Sequence, residues 1–420
     1  MNPTLLAGGI FLITYALIVS ERVHRTVSAL LGGVTMIVLG VLTQEKAFDA
    51  VDWNVIFLLV GMMIIANVLR ETGLFQWIAV HSVRLGKGDP FRIMIILVVV
   101  TAGTSALLDN VTIVVLVAPV TLLLAASLRV SPIPFLIAEI LASNIGGMAT
   151  LVGDPPNLLI GSAAGIDFVT FAANMAPISV IILIALVGLL WFFFKKEFRT
   201  SETEILDIEA LDTSALITDV PLLRKSLIVM AGVVFGFLFH GALHLEPATI
   251  ALAGATILML WARSDPHHVL RDVEWTTLFF FIGLFILVEA VVQVGIIEKV
   301  AQAALRLTGG SLPMTSMLLL WFSAVASGIV DNIPYTAAMI PVVENLGQAM
   351  PVMPLWWALA MGADLGGNAT LVGAAANVVV ASLAEKSGNP ISFGLFLRYG
   401  AITTFMSLTL ATVYMWLRYL

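Results

Sequence analysis

Apolar residues fill this 420-residue chain in long blocks with few polar interruptions. A block of about 17–25 apolar residues is long enough to cross a bilayer as a helix. Blocks of that kind lie near 3–20, 26–43 and 53–69. An amphipathic stretch follows at 73–86, with Leu74, Trp77, Ile78 and Val83 set against Gln76, His81 and Arg84. Two apolar arms, 91–108 and 111–128, flank Asp109-Asn110. A longer region, 133–164, is interrupted at Gly146-Gly147 and at Asp154-Pro155-Pro156, and a last block covers 168–194. The one extended polar segment, 195–224, is acidic (Glu197, Glu202, Glu204, Asp207, Glu209, Asp212, Asp219) and reads as a linker.

Beyond the linker the pattern starts again. Asp109-Asn110 recurs as Asp331-Asn332, an offset of 222, and Trp53, Gly61, Gly73 and Pro119 match Trp275, Gly283, Gly295 and Pro341 at the same offset. At an offset of 220, the run Gly146 to Gly153 matches Gly366 to Gly373 with one difference, Met148 against Asn368, and Asn157 matches Asn377. Such ordered identity marks two homologous halves, 1–194 and 225–420, with a hairpin at 91–128 in the first and 313–350 in the second. Each half then holds five spans plus its hairpin. An odd number sends the second half in from the opposite face. The expected architecture is an all-α polytopic membrane protein of about ten transmembrane helices and two re-entrant hairpins, in two inverted-topology repeats. The first block has no basic segment before it and has a counterpart later in the chain, so it is expected to be retained structure.

Charge orients the plan. With both termini outside, Lys46, Lys299, Arg306 and Arg418 lie outside, and the other 16 of the 20 Lys and Arg lie inside with the linker. A plasma (inner) membrane location follows from that bias. Composition agrees: 60% of the chain is hydrophobic and 11% charged, where soluble domains average about 45–50% and about 25%. A net charge of −7 with no basic block excludes a nucleic-acid binder. The absence of cysteine excludes disulfides, thiolate metal sites and a cysteine nucleophile.

The 27 acids do not follow the bases to the membrane edges. Asp109, Glu139, Asp154, Glu289, Asp331, Glu344 and Asp364 fall inside apolar blocks. Each costs at least about 2.5–3.5 kcal/mol at a bilayer centre, so each is a functional candidate. Acids without accompanying bases suit a cation, a proton or a neutral hydroxylated solute. Two constellations stand out. Asp109, Asn110 and Thr112 at one hairpin tip, and Asp331, Asn332 and Thr336 at the other, offer oxygens that can cap the second arm or coordinate a hard cation. The broken segments carry Asn144, Gly147, Thr150, Asp154 and Asn157 in the first half, and Asp364, Asn368, Thr370 and Asn377 in the second. Paired glycines let a helix unwind, and freed carbonyls can then hold an ion. Asp109, Glu139, Asp154, Glu289, Asp331 and Asp364 are the proton-coupling candidates, with Glu344 read as a rim residue. No cofactor, fixed metal site or Walker loop is evident, and the aspartyl-protease signature Gly-x-Gly-Asp is absent. The chain therefore reads as a transporter rather than an enzyme, compatible with a cytoplasmic ATPase partner and with a homodimer.

The motifs Leu108-Asp109-Asn110-Val111-Thr112 and Ser143-Asn144-Ile145-Gly146-Gly147 through Asn157 resemble the ArsB/NhaD permease family of the ion transporter superfamily, most closely the subgroup with the melanosomal P protein. That resemblance implies ten or so spans, two re-entrant hairpins, and a scaffold with a moving transport part. It implies arsenite or antimonite export, or sodium/proton antiport, with dicarboxylate transport more distant because Asp heads the hairpin tip. The leading expectation is proton-coupled efflux of arsenite or antimonite by antiport. The alternative is Na⁺(Li⁺)/H⁺ antiport on a shared acid, with a channel less favoured.

Overall fold

The computed structural model describes residues 2–20, 22–199 and 216–420, and every regular element among them is an α-helix. Most of the expected linker (200–215, with Glu202, Glu204, Asp207, Glu209 and Asp212) lies outside the described residues. The first half runs α1 (Pro3–Ser20), α2 (Arg25–Val38), α3 (Gln44–Asp49), α4 (Trp53–Glu71), α5 (Leu74–Gly86), α6 (Pro90–Ser105), α7 (Asn110–Ser127), α8 (Ile133–Gly147), α9 (Pro155–Ala164) and α10 (Phe168–Arg199). The second runs α11 (Val220–Leu243), α12 (Pro247–Ala262), α13 (Pro266–Arg271), α14 (Trp275–Gln293), α15 (Ile296–Thr308), α16 (Leu312–Val330), α17 (Asn332–Leu346), α18 (Met353–Gly367), α19 (Ala375–Lys386) and α20 (Phe393–Arg418). The bounds of α3, α4 and α5 return in α13, α14 and α15 shifted by 222, and those of α8 return in α18 shifted by 220.

Eight of the described helices are long and apolar enough to cross a membrane: α1, α4, α7, α10, α11, α14, α16 and α20. α2, α6, α8 and α12 are apolar but shorter. The block at 26–43 thus differs from a full span. Its helix ends at Val38 because Gly40 takes a left-handed conformation (φ 71°), which turns the chain. α12 stops likewise where Arg263 adopts φ 56°. Local chemistry sets the starts. Asp52, Asp89, Asp109 and Asp219 each accept N–H bonds at the first turn of α4, α6, α7 and α11.

Without water to squeeze out, helices in a bilayer associate through close contact of small residues. α4 packs on α12 where Gly61 meets Ala251, and α14 packs on α2 where Gly283 meets Ala29. A Cβ on either glycine would lie 2.6 Å from backbone of the facing helix. α6 and α8 meet at Ala102 and Gly146, α16 and α18 at Ala324 and Gly366. The hairpin arms then cross between halves: α7 lies on α19 and α17 on α9. That exchange brings both hairpin tips and both helix breaks together. Leu12 and Ile13 on α1, Ile184 and Phe192 on α10 and Phe405 on α20 stay exposed, as lipid-facing positions should.

Gly61→Val and Gly283→Val are expected to lower the thermal stability of the detergent-solubilised protein by about 1–3 kcal/mol each. Gly188→Ala, where an added Cβ meets nothing within 4 Å, should leave it unchanged. Melting curves for the three variants check this.

Candidate functional site

The site is assembled from the two helix breaks and the first residue of each second arm. In the first half the chain leaves α8 at Gly147 and re-enters helix at Pro155. Asn157 closes the gap by donating from Nδ2 to the carbonyls of Gly147 (3.2 Å) and Thr150 (3.3 Å). Asn377 does the same for Gly367 (2.7 Å) and Thr370 (2.8 Å). Thr150 and Thr370 donate their hydroxyls to Ala106 O (2.5 Å) and Gly328 O (2.6 Å), which ties each break to its own hairpin. Backbone bonds from Asn110 to Gly153 O and from Asn332 to Gly373 O, both 3.1 Å, add a second tie. The carbonyls of Gly147, Thr150, Gly367 and Thr370 each accept an asparagine amide, because an unpaired carbonyl in this setting is costly. Gly147 itself contributes closeness: a Cβ there would lie 2.7 Å from Gly153 O.

At the centre the side chains form one network. Asp154 accepts from Asn110 Nδ2 (2.8 Å) and from Asn332 Nδ2 (3.2 and 3.3 Å), so both hairpin tips hold the same carboxylate. Asn110 also donates to Asn144 Oδ1 (3.2 Å), and Asn144 Nδ2 donates to Asn368 Oδ1 and Asn377 Oδ1, both 3.0 Å. Asp364 stands one turn before Asn368 on α18, with the Asn157 side chain beside it. All of these residues are at most 2% exposed. Neither Asp364 oxygen, nor Asn157 Oδ1, nor Asn368 Nδ2 has a hydrogen-bond partner.

The tip acids behave differently from expectation. Asp109 caps α7, accepting from Thr112 N–H (3.0 Å) and Thr112 Oγ1 (3.1 Å), and borders a small enclosed space with Leu58, Met62 and Met63. Asp331 caps α17 and pairs with Arg25 at 3.2 Å. Asp331, one of the acids of the apolar blocks, thus has a base beside it. Arg25 opens α2 with its guanidinium over the Phe280 ring. Tyr15 adds a hydroxyl bond to Pro334 O (2.7 Å). Nothing in the sequence set Arg25 or Tyr15 apart from other edge residues. Thr336 is fully buried with its hydroxyl unpartnered. Glu139 lies away from the network, bonded to Thr121. Glu289 is also apart: it is half-buried and accepts from Gln293 on its own helix (3.2 Å). Glu344 is exposed, as a rim residue should be.

Two cavities border the helix breaks, at Val372 and at Leu151. One of about 300 Å³ is lined by Ile18, His24, Arg25, Asp331, Ala375 and Val378. The other, of about 490 Å³, is lined by His240, Glu246, Pro247, Leu158 and Asp167. Ile18, His24, Arg25 and Val378 are the sequence counterparts of His240, Glu246, Pro247 and Leu158. Partial burial opposes ionisation of Asp167. Bonds from Thr170 Oγ1 (2.7 Å) and Thr170 N–H (2.8 Å), with His240 nearby, outweigh it and hold its pKa below the ordinary carboxylate value.

Long apolar helices with paired breaks around a buried polar centre are the frame of a multi-pass membrane transporter. The citrate transporter family matches residues 15–362, and the chain belongs to that family. An uncharacterized transporter of Mycobacterium tuberculosis is 47% identical over 99% of both chains. The P protein of Homo sapiens is 34% identical over 96% of this chain and 58% of its own length, in line with the likeness seen in the motifs. The crystal structure of the Alcanivorax borkumensis YdaH transporter covers 100% of this chain and 99% of its own, with a TM-score of 0.58 and 15% identity, a likeness of fold. The family match carries the citrate transporter description rather than the ArsB/NhaD one.

The Arg25–Asp331 pair is partly exposed, with side chains 31% and 15% accessible. Its net worth should be about 1 kcal/mol or less, while removing one partner leaves the other uncompensated. Arg25→Gln and Asp331→Asn should each lower thermal stability, and the double variant should recover part of the loss. A thermal double-mutant cycle measures the coupling.

Proposed function

We propose that this transporter is a cation/proton antiporter in which Asp364 is the shared site. One observation carries the reading. Asn144 and Asp364 are counterparts, as are Asn377 and Asn157. Asn144 donates an amide N–H to Asn377 Oδ1. At the equivalent place Asp364 has the Asn157 side chain beside it, and neither Asp364 oxygen has a hydrogen-bond partner. A buried carboxylate with no bonded donor calls for a proton or a cation. A proton would neutralise Asp364, and a small cation such as Na⁺ or Li⁺ would bind the same carboxylate. Either occupant excludes the other, which is the chemical requirement for exchange. Asp154 supplies a second negative group nearby, oriented by Asn110 and Asn332.

Citrate, the substrate in the family's description, fits this centre poorly. Its carboxylates would meet Asp154 and Asp364. The first turn of α9 offers an anion little, since Pro155 and Pro156 have no N–H and the Asn157 N–H is bonded to Asp154 O (3.0 Å). Arsenite or antimonite, a neutral hydroxide, is the second reading. It is favoured by the unpartnered donor Asn368 Nδ2 beside three unpartnered acceptors.

The matching helix bounds and paired cavities support two inverted repeats working by alternating access. In that arrangement the cavity at Arg25 opens to the cytoplasm and the cavity at His240 to the outside. The termini then lie outside, with the linker cytoplasmic, in the plasma membrane.

Asp364→Asn tests the proposal. It installs the amide that the first half already uses, so the variant should fold with at least wild-type stability and lose proton coupling. In everted vesicles, a pH dye should report proton movement on adding Na⁺ or Li⁺ to wild type and none in the variant. Coupling that survives in Asp364→Asn would sink the proposal. A response to arsenite alone would move the assignment to the hydroxide.

A further inference from the structure

Glu139 is a buried acid that the antiport reading leaves unused. It is 1% exposed in the middle of α8. Its Oε1 accepts from Thr121 Oγ1 at 2.5 Å, and Oε2 has no partner. No charged group faces it from α6, α7, α10, α18, α19 or α20, the helices that pack on α8. A lone carboxyl in such a place does not serve packing. The second half shows this directly: Leu359 and Val343, both fully buried, stand where Glu139 and Thr121 stand in the first.

Position gives the acid a task. Glu139 lies eight residues before the break at Gly147, so about 12 Å from it along the helix. One turn nearer, on the same face, is Ser143. The Ser143 hydroxyl donates to Asn110 O (3.2 Å) and lies 3.3 Å from Ser105 Oγ. Asn110 in turn donates to Asp154. Ser143, Ser105 and Asn110 are therefore the polar groups between Glu139 and Asp154. In the second half the same route is cut. Leu359 and Ala363 replace Glu139 and Ser143, although Ser327 and Asn332 remain. The track exists on one side of the centre only.

We propose that Glu139 is a proton relay that loads the central carboxylates from the face where the α5–α6 and α7–α8 turns lie. The relay rests on the reading that Asp364 exchanges a proton. The step moves one proton: the Glu139 carboxyl gives it up on the side of the Ser143 hydroxyl, water between Ser143 and the centre carries it to a central carboxylate, and water at the face of those turns reprotonates Glu139. No other bond changes.

Full-length protein in lipid, followed by time-resolved infrared spectroscopy after a pH jump, tests this without knowledge of the cargo. Asp154→Asn and Asp364→Asn assign the carboxyl bands of the centre. Glu139→Gln should remove one further carboxyl band and slow protonation of the central bands at least about tenfold. Thr121→Val/Glu139→Leu, which copies the second half's pair, should fold and be equally slow. Unchanged central kinetics in either variant overturns the relay, as does misfolding of the double variant, which would mark the pair as structural. An infrared response that is the same in Asp364→Asn as in wild type would instead remove the antiport reading on which the relay rests.

Discussion

A polar atom held away from water must find a partner, and this structure is organised around that demand. Two helices are broken inside an apolar fold, and each break frees carbonyls that no intrahelical bond can satisfy. Asn157 and Asn377 resolve the problem with the same two bonds in each half. Thr150 and Thr370 fasten the breaks to the hairpins. Only when the backbone is satisfied do the remaining side chains become free to act. Among the described residues, four of the eleven buried side-chain atoms left unpartnered belong to Asp364, Asn157 and Asn368. A fold that clamps its carbonyls so thoroughly is not one in which leftover acceptors are neglected packing.

Much of the fold was legible because membrane helices announce themselves through length and apolarity, and because the chain repeats its own motifs. The helix ends fell at Asp109-Asn110, at Asp331-Asn332 and at the paired glycines. The premature ends of α2 and α12 were hidden, since an apolar run does not reveal a left-handed residue such as Gly40 or Arg263 within it. Within the site, residue types were legible and roles were not. Asn110 and Asn332 reach the centre while their neighbours Asp109 and Asp331 turn to capping and to Arg25. Sequence spacing gives no direction for a side chain at a hairpin tip. The Arg25 contact spans 306 positions and had no local signal.

The resemblance between halves also explains why the clamps can be trusted as structure rather than site. Bonds that occur twice, such as those of Asn157 and Asn377, are needed wherever this backbone is built. Bonds that occur once are where the halves have parted. Glu139 against Leu359, Met148 against Asn368 and Asn144 against Asp364 are all single departures on an otherwise repeated frame. Chemistry is concentrated in those departures because a change there disturbs no shared packing rule.

Asp154 shows that one departure is imposed by electrostatics. Asn110 and Asn332 are counterparts, yet both donate to the same carboxylate. Asp154 therefore sits where the two halves meet each other in an equivalent way. A second aspartate at its counterpart, Ala374, would compete for the same two amides. A Cβ placed on Gly367 would already lie 3.3 Å from the Ala374 methyl and 3.7 Å from Asn332 Nδ2, so that space is shared. Two carboxylates so close cannot both ionise. Strict repetition would thus have produced a self-repelling pair, and the chain keeps one acid at the junction and methyl groups opposite it. The second acid, Asp364, stands at a different repeat position, whose counterpart is the amide Asn144. The asymmetric pair of acids within a repeated frame leaves one carboxylate anchored by two donors and the other without a hydrogen-bond partner.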